Sequence, residues 1–322
     1  MSCAACKCGV SLSDTGHDCT PVQEVAYKLI AQQTYDSTGV RNKIPFTATL
    51  NQAYFDALIN QTDKSKRWYP LPAMKNVEDV RGDNRVEEFA DQTMEFIAEG
   101  ARKFKSWIVG GNSGANSPQM KQLIENIRCG DYSFWIVTVK NQLIGNITSD
   151  GLYLEPIEID EQSISAQFVK KTDTSVQKLQ LTFNWSQIAS DANLRMFDCD
   201  ELGDANLQGL RGLLGVCYRL IDATTTTLKF ALESVFGTPT SPITADGLVA
   251  TDFVSSVGGA TSKVYNETDA ADVSITGLTE SPDGTYELTF TAQTLGDAIT
   301  IKPVKAGYDF TCVQDAPVDI AS

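Results

Sequence analysis

Histidine is almost absent from this chain: among 322 residues only His17 carries an imidazole. No histidine-based acid–base pair or nucleophilic triad can be built within one chain. Long apolar runs are missing too; none reaches the ~18 residues that a spanning helix needs, so no membrane insertion is expected. Residues 1–8 hold no apolar segment of the secretory type, and the expectation is a protein made and kept in the cytosol. Basic residues are scarce. Lys and Arg number 26 against 41 Asp and Glu, a net charge of −15. A reader of nucleic-acid sequence needs a basic face that displaces counterions, so that class is excluded. The imbalance is steepest from Gly215 onward, with 14 acidic and 5 basic residues.

What is present is an ordinary globular composition, 42% apolar and 21% charged, over a length that suits two domains. Eight cysteines divide into two groups. Cys3, Cys6, Cys8 and Cys19 crowd the N-terminus with His17. These are the atoms of a tetrahedral zinc site, although the spacing fits no standard finger; the alternative is an exposed extension with reduced thiols. Cys129, Cys199, Cys217 and Cys312 are scattered and read as small core residues. Apart from that zinc, no cofactor is expected.

The most informative stretch is 164–185. Ile164, Ala166 and Phe168 alternate with polar residues, and after a polar break Leu179, Leu181, Phe183 and Trp185 do the same. Period two on both arms predicts a long hairpin with one apolar and one polar face. Such a hairpin suits a sheet with one side on a core and the other facing water or a neighbouring subunit. Its apolar residues, Ile164, Phe168, Leu179, Leu181, Phe183 and Trp185, are the candidate assembly residues.

Around it, residues 25–32 read as a strand and 51–59 as a short helix. Residues 86–109 read as two or three strands, by their β-rich composition. Ser117-Pro118 opens the clearest helix, with Met120, Leu123, Ile124 and Ile127 as one apolar stripe and Gly130 as its stop. Residues 132–185 form an antiparallel meander, with Pro156 at an edge or bulge. From Val216 onward, short strands and turn signals describe an immunoglobulin-like β-sandwich free of disulfides. The boundaries expected are 1–24 for a Cys-rich extension, 25–214 for a β domain with one flanking helix, and 215–322 for the sandwich.

Several motifs have plain readings. Lys64, Lys66 and Arg67 form a solvated loop more readily than a phosphate site. Arg81-Gly82-Asp83 spells an adhesion tripeptide but has the composition of a turn. Gly110-Gly111-Asn112-Ser113-Gly114 lacks the Lys-Ser/Thr of a phosphate loop. Asp198, Asp200, Glu201 and Asp204 lack the spacing of a calcium hand. Glu87-Glu88 and Glu158/Asp160 are spaced like solvated surface, so no enzyme is expected. Trp68, Trp107, Trp135 and Trp185 would stack on sugars if exposed, but aromatics on strands are more often core.

Asn60-Gln61-Thr62-Asp63-Lys64-Ser65-Lys66-Arg67-Trp68-Tyr69-Pro70, then Asn76-Val77-Glu78-Asp79-Val80-Arg81, then Phe96-Ile97 with Gly100-Ala101-Arg102, resemble structural proteins of tailed bacteriophages that infect Bacteroidetes-type hosts. The Leu123 to Cys129 helix and the strand pair from Phe134 to Gly145 continue the likeness, which is nearest to major tail tube proteins. Gly284 to Phe290 is similar to the immunoglobulin-like modules that phages append to virion proteins. The resemblance implies a tail-tube-like antiparallel β-sandwich or barrel. It implies homo-oligomeric hexameric rings that stack into a tube in the virion, are assembled in host cytoplasm and meet other tail proteins. Viral DNA would pass through the lumen, during ejection, without specific binding, and a net-negative lumen would keep it from sticking. The alternatives are a capsid decoration or head–tail connector protein, and a host-surface or glycan-binding module.

Overall fold

The structure is a computed structural model. It describes residues 23–89, 93–109, 118–234, 247–254, 256–257, 260–261, 263–310 and 318–319. The chain is mainly β, with 47% of residues in strands and 11% in helices, and its antiparallel sheets curl as half-barrels. It divides into two compact units, Met1–Ile59 with Asp63–Arg211, and Asn60–Thr62 with Gly212–Ser322.

The first unit runs β1 (Ala26–Gln33), β2 (Ile44–Pro45), α1 (Gln52–Ile59), β3 (Tyr69–Pro70), β4 (Met74–Arg81), β5 (Arg85–Glu88), β6 (Met94–Ala98) and β7 (Arg102–Ile108). It continues with α2 (Pro118–Asn126), β8 (Tyr132–Thr138), β9 (Leu143–Ile147), β10 (Tyr153–Glu155), β11 (Ile157–Val169), β12 (Lys178–Trp185) and β13 (Leu194–Phe197). Strands β1 and β8 pair along their length and are buried on both faces. One face joins the main core through Leu29, Ala31, Phe134 and Ile136. The other carries Trp135, which packs on Trp68, which in turn packs on Phe55 of α1. Gln32 is the polar anchor of the two indoles on that second face. Gln32 Oε1 accepts from Trp68 Nε1 at 3.0 Å and from Trp135 Nε1 at 2.8 Å, and its amide donates to the Lys66 carbonyl at 2.9 Å.

The expected meander from 132 to 185 is corrected at Pro156. Strand β10 pairs with β9, but after the buried Pro156 the chain pairs with β8 through Ile157 and Glu158. Proline has no N–H for a ladder, so it sits where the strand changes partners. Beyond Glu158, β11 pairs with β12, and β11–β12–β7–β4 is the four-stranded end of an eleven-stranded sheet. The inward face of that sheet holds Ile159, Ile164, Ala166, Leu179, Leu181, Phe183, Trp185, Phe104 and Ile108, all buried. Phe183 is its centre, stacked on Phe104 at 4.9 Å and edge-on to Trp185 at 4.9 Å. α2 and the turn Ile127–Cys129 cover this core with Ile124 and Ile127. The helical stripe is narrower than its spacing predicts, because Leu123 is half exposed.

The second unit has a five-stranded sheet (Ile275–Glu280, Thr285–Phe290, Thr227–Ser234, Leu214–Ala223, Tyr308–Asp309). Its four-stranded sheet is Ala271–Asp272, Lys263–Asn266, Ala298–Lys302 and Val318–Asp319. Phe230, Tyr286 and Leu288 from the first share one core with Val264, Ile299 and Ile301 from the second, so the unit is a two-sheet sandwich. The disulfide-free expectation is corrected. Cys199 and Cys217 are half-buried and disulfide-bonded, not core thiols, and Cys129 is free and exposed. Cys312 lies outside the described residues.

Lys28 is buried in the first unit, where its ammonium donates to the carbonyls of Gln208 at 2.8 Å and Leu210 at 2.6 Å. Burial, with the Arg211 charge adding, pulls it down from 10.5 to about 8. Folding then favours the neutral amine. Below pH 8 both states hold the proton and the folded state bears the desolvation penalty. Between pH 8 and 10.5 the folded state releases it first, so stability rises with pH. The gain expected is about 3 kcal/mol, since each pKa unit is worth roughly 1.4 kcal/mol. Urea titrations from pH 7 to 10.5 check this, and Lys28→Met should flatten the rise.

Candidate assembly site

The six candidate assembly residues fall in two places. Ile164, Leu179, Leu181, Phe183 and Trp185 are buried in the core of their own chain, and Phe168 packs partly buried against it. The hairpin's apolar face is therefore closed by α2 and β8 and offers no side chain to a neighbour. Its other face is open, and strand register places the residues there in rows. Lys75, Trp107, Gln180 and Gln167 lie across β4, β7, β12 and β11. Glu78, Lys105, Thr182 and Ser165 make the next row, and Val80, Lys103, Asn184 and Asp160 the third. Lys178 adds its ammonium over the Trp107 ring at 4.1 Å. The surface is mostly polar, with four lysines against Glu78 and Asp160.

The two edges of this sheet differ from its middle. Among the described residues, β4 pairs with a strand on one side only. β11 beyond Glu158 pairs only with β12, and on its free side Arg128 Nη2 donates to the Ile164 carbonyl at 2.6 Å. Rows of unpaired backbone groups are templates for another strand. β4 tempers its own edge: the register shifts between Lys75 and Glu78, and Asn76 there takes φ 50°. A bulge of this kind limits pairing at one end and leaves the 78–81 end regular.

β4 and β7 also carry the second surface, the ribbon of β5 and β6 between them. At its base Gly82 N–H donates to the Ala101 carbonyl at 3.0 Å. A Cβ on Gly100 would lie 2.0 Å from the Gly82 carbonyl oxygen, so only glycine lets the two segments meet. Arg81 ties the base together through Glu99 and Asp191, both at 2.9 Å, and the Gly100 carbonyl at 3.1 Å. The hydrogen bond from Arg81 holds Asp191 below the usual carboxylate range. Arg102 donates to Asp79 at 2.8 Å and pairs with Asp191 at 3.0 Å. The adhesion tripeptide thus has its arginine in a structural network.

Beyond that base, the ribbon touches neither hydrophobic core. In register, Val86 faces Phe96 and Glu88 faces Met94, while Glu87 faces Glu95 on the other side. Val86, Met94 and Phe96 are 50%, 67% and 57% exposed. An isolated two-stranded ribbon is marginal in water, and Glu directly opposite Glu costs it roughly a further 0.2–1 kcal/mol. The sequence read these residues as strands but gave no sign that they leave the body of the fold. Alternation looks the same whether or not a partner covers the apolar side.

Other sequence candidates separate in space. Cys3, Cys6, Cys8, Cys19 and His17 lie outside the described residues, as does the glycine-rich loop at 110–114. Among the described residues, no three His, Cys, Asp or Glu side chains gather as a metal site. No described helix is long and apolar enough to cross a membrane. Lys64, Lys66 and Arg67 do not converge: Arg67 is buried and Lys66 pairs with Asp36 at 3.2 Å. Asp198 and Asp204 accept from Gln142 and from the Gln52 backbone, which ties them into turns. Trp68, Trp135 and Trp185 are buried, which removes three of four sugar-stacking candidates. No protein-family profile, curated protein or solved structure matches the chain.

Proposed function

We propose that this protein is a structural subunit that polymerises with copies of itself, as a tail tube protein does in a phage virion. The observation that carries the reading is the four-stranded end of the sheet: one face closed on a core, the other polar, the β4 edge open, and β11 beyond Glu158 paired on one side only, with Arg128 at its Ile164 carbonyl. Pairing β4 of one copy with β11 of the next would use both edges at once and close a ring. The β5–β6 ribbon would then reach an adjacent ring, where its bare apolar side finds cover. Six-fold symmetry, passage of DNA through the lumen and contact with other tail proteins belong to the same proposal.

One part of the expectation changes. If the open sheet face lines the channel, it presents Lys75, Lys103, Lys105 and Lys178 against Glu78 and Asp160. That wall has a small positive excess, the opposite of the net-negative lumen that would keep DNA from sticking. Screening over about 8 Å at physiological salt keeps the acidity elsewhere from cancelling it. Uncharged Gln, Asn, Thr and Ser between the lysines would keep contact with DNA weak.

Negative-stain microscopy of the purified protein is the direct test. Rings or tubes with a central channel are expected. A monomer at every concentration and salt would overturn the proposal. A capsid-decoration or connector role draws on the appended sandwich alone, and copy number per particle separates it: a tube protein scales with tail length.

A further inference from the structure

A cleft of about 680 Å³ opens in the first unit. Its wall is the end of β9, the turn at 148–151, the start of β11 and the segment at 188–193. Asn146 lines it, only 8% exposed, and its side-chain carbonyl Oδ1 has no hydrogen-bond partner. A buried acceptor left unpaired costs roughly 1–3 kcal/mol, so it marks a place where a donor belongs. Glu155 and Glu158 line the same cleft with Arg41 between them, whose guanidinium lies 2.8 Å from Glu155 and 2.5 Å from Glu158. One guanidinium faces two carboxylates, a net charge of −1. Burial pushes the Glu155 carboxyl up, Arg41 opposes this, and Glu158 adds to it.

We propose that this cleft binds an alkylammonium group, carried by a small aliphatic amine or by a lysine side chain of a second copy. An ammonium has three donors and no acceptor. The cleft offers the matching set: Asn146 Oδ1 and the spare lone pairs of two carboxylates. Its charge restores neutrality, whereas an anion would meet two carboxylates. Calcium would need six to eight oxygens, and Arg41 already holds the position a second metal charge would contest. Ile188, 82% exposed at the mouth, and the neighbouring Ala189 provide an apolar path for the methylene stem. Lys43, whose charge reaches Glu155, does not line the cleft; its ammonium sits over the Tyr153 ring at 3.7 Å. This inference is independent of the ring and tube.

Titration calorimetry of the full chain with n-butylammonium chloride, n-butanol, sodium butyrate and calcium chloride tests it. Saturable binding of butylammonium is expected, at least tenfold tighter than butanol, with none of butyrate. Asn146→Ala loses no hydrogen bond of the free protein and should weaken binding at least fivefold. Ile188→Ser, at an exposed position that cannot affect folding much, should weaken it two- to threefold. Binding should also weaken on acidification, as the raised Glu155 takes up a proton before an ordinary carboxylate would. Sedimentation with and without butylammonium separates the sources: dissociation of a complex identifies a neighbour's lysine, and no change identifies a free amine. Absence of saturable binding, equal affinity for butanol, tighter binding of calcium, or indifference to both variants would overturn the proposal.

Discussion

Met94→Glu with Phe96→Glu, made together, abolishes polymerisation and leaves the melting temperature of the isolated chain unchanged. Both side chains are more than half exposed and neither belongs to a core, so the cores that set the melting transition lose nothing, and the new charge opposite Glu88 loads only the ribbon. In a polymer they would be covered. Burying a Met or Phe side chain fully is worth about 1.5–3 kcal/mol, and these two begin 67% and 57% exposed. Losing both, and adding two charges beside Glu87, Glu88 and Glu95, removes roughly 3–4 kcal/mol per contact, a hundredfold or more in affinity. Each ring would carry several such contacts, so the loss compounds. Microscopy and sedimentation read the assembly, and circular dichroism reads the fold. If the double variant forms the same polymers as the parent, the ribbon is not an assembly element.

Gln32→Leu lowers the melting temperature of the first unit by about 10 °C. Leucine is close in volume to glutamine, so packing around it changes little. What disappears is the single oxygen that serves two buried indole N–H groups, and the amide that serves the Lys66 carbonyl. Each orphaned group costs roughly 1–3 kcal/mol, and no water reaches a site this enclosed without displacing side chains. A total near 4 kcal/mol at about 2–4 °C per kcal/mol gives the shift. All four tryptophans lie at or before position 185, so indole fluorescence reports the first unit alone. A shift under about 2 °C would show that the pair of indoles finds another acceptor.

The alternation across 164–185 was enough to place a two-faced hairpin, and it also identified which side chains face inward. Pro118 at the first helical position and the stripe through Ile124 and Ile127 placed the covering helix in the same way, while the Ser117 cap lies outside the described residues. Gln32 was not legible. Within a strand it reads as one more polar residue, and its role depends on Trp68 and Trp135, 36 and 103 positions away. The cleft at Asn146 was equally hidden, since Arg41, Asn146, Glu155 and Asn193 come from four separate segments. Val86, Met94 and Phe96 were visible as strand residues, but not as exposed ones.

By itself the sequence determined the β class of the chain, the inward face of its long hairpin and the absence of histidine-based chemistry. These are local properties, fixed by side-chain period and residue type. Tertiary structure alone decided where strands lack a partner, which apolar residues remain bare and which buried polar atoms remain unpaired. Those depend on what stands opposite each group, and pairing across long separations is a property of the folded chain and of no segment of it.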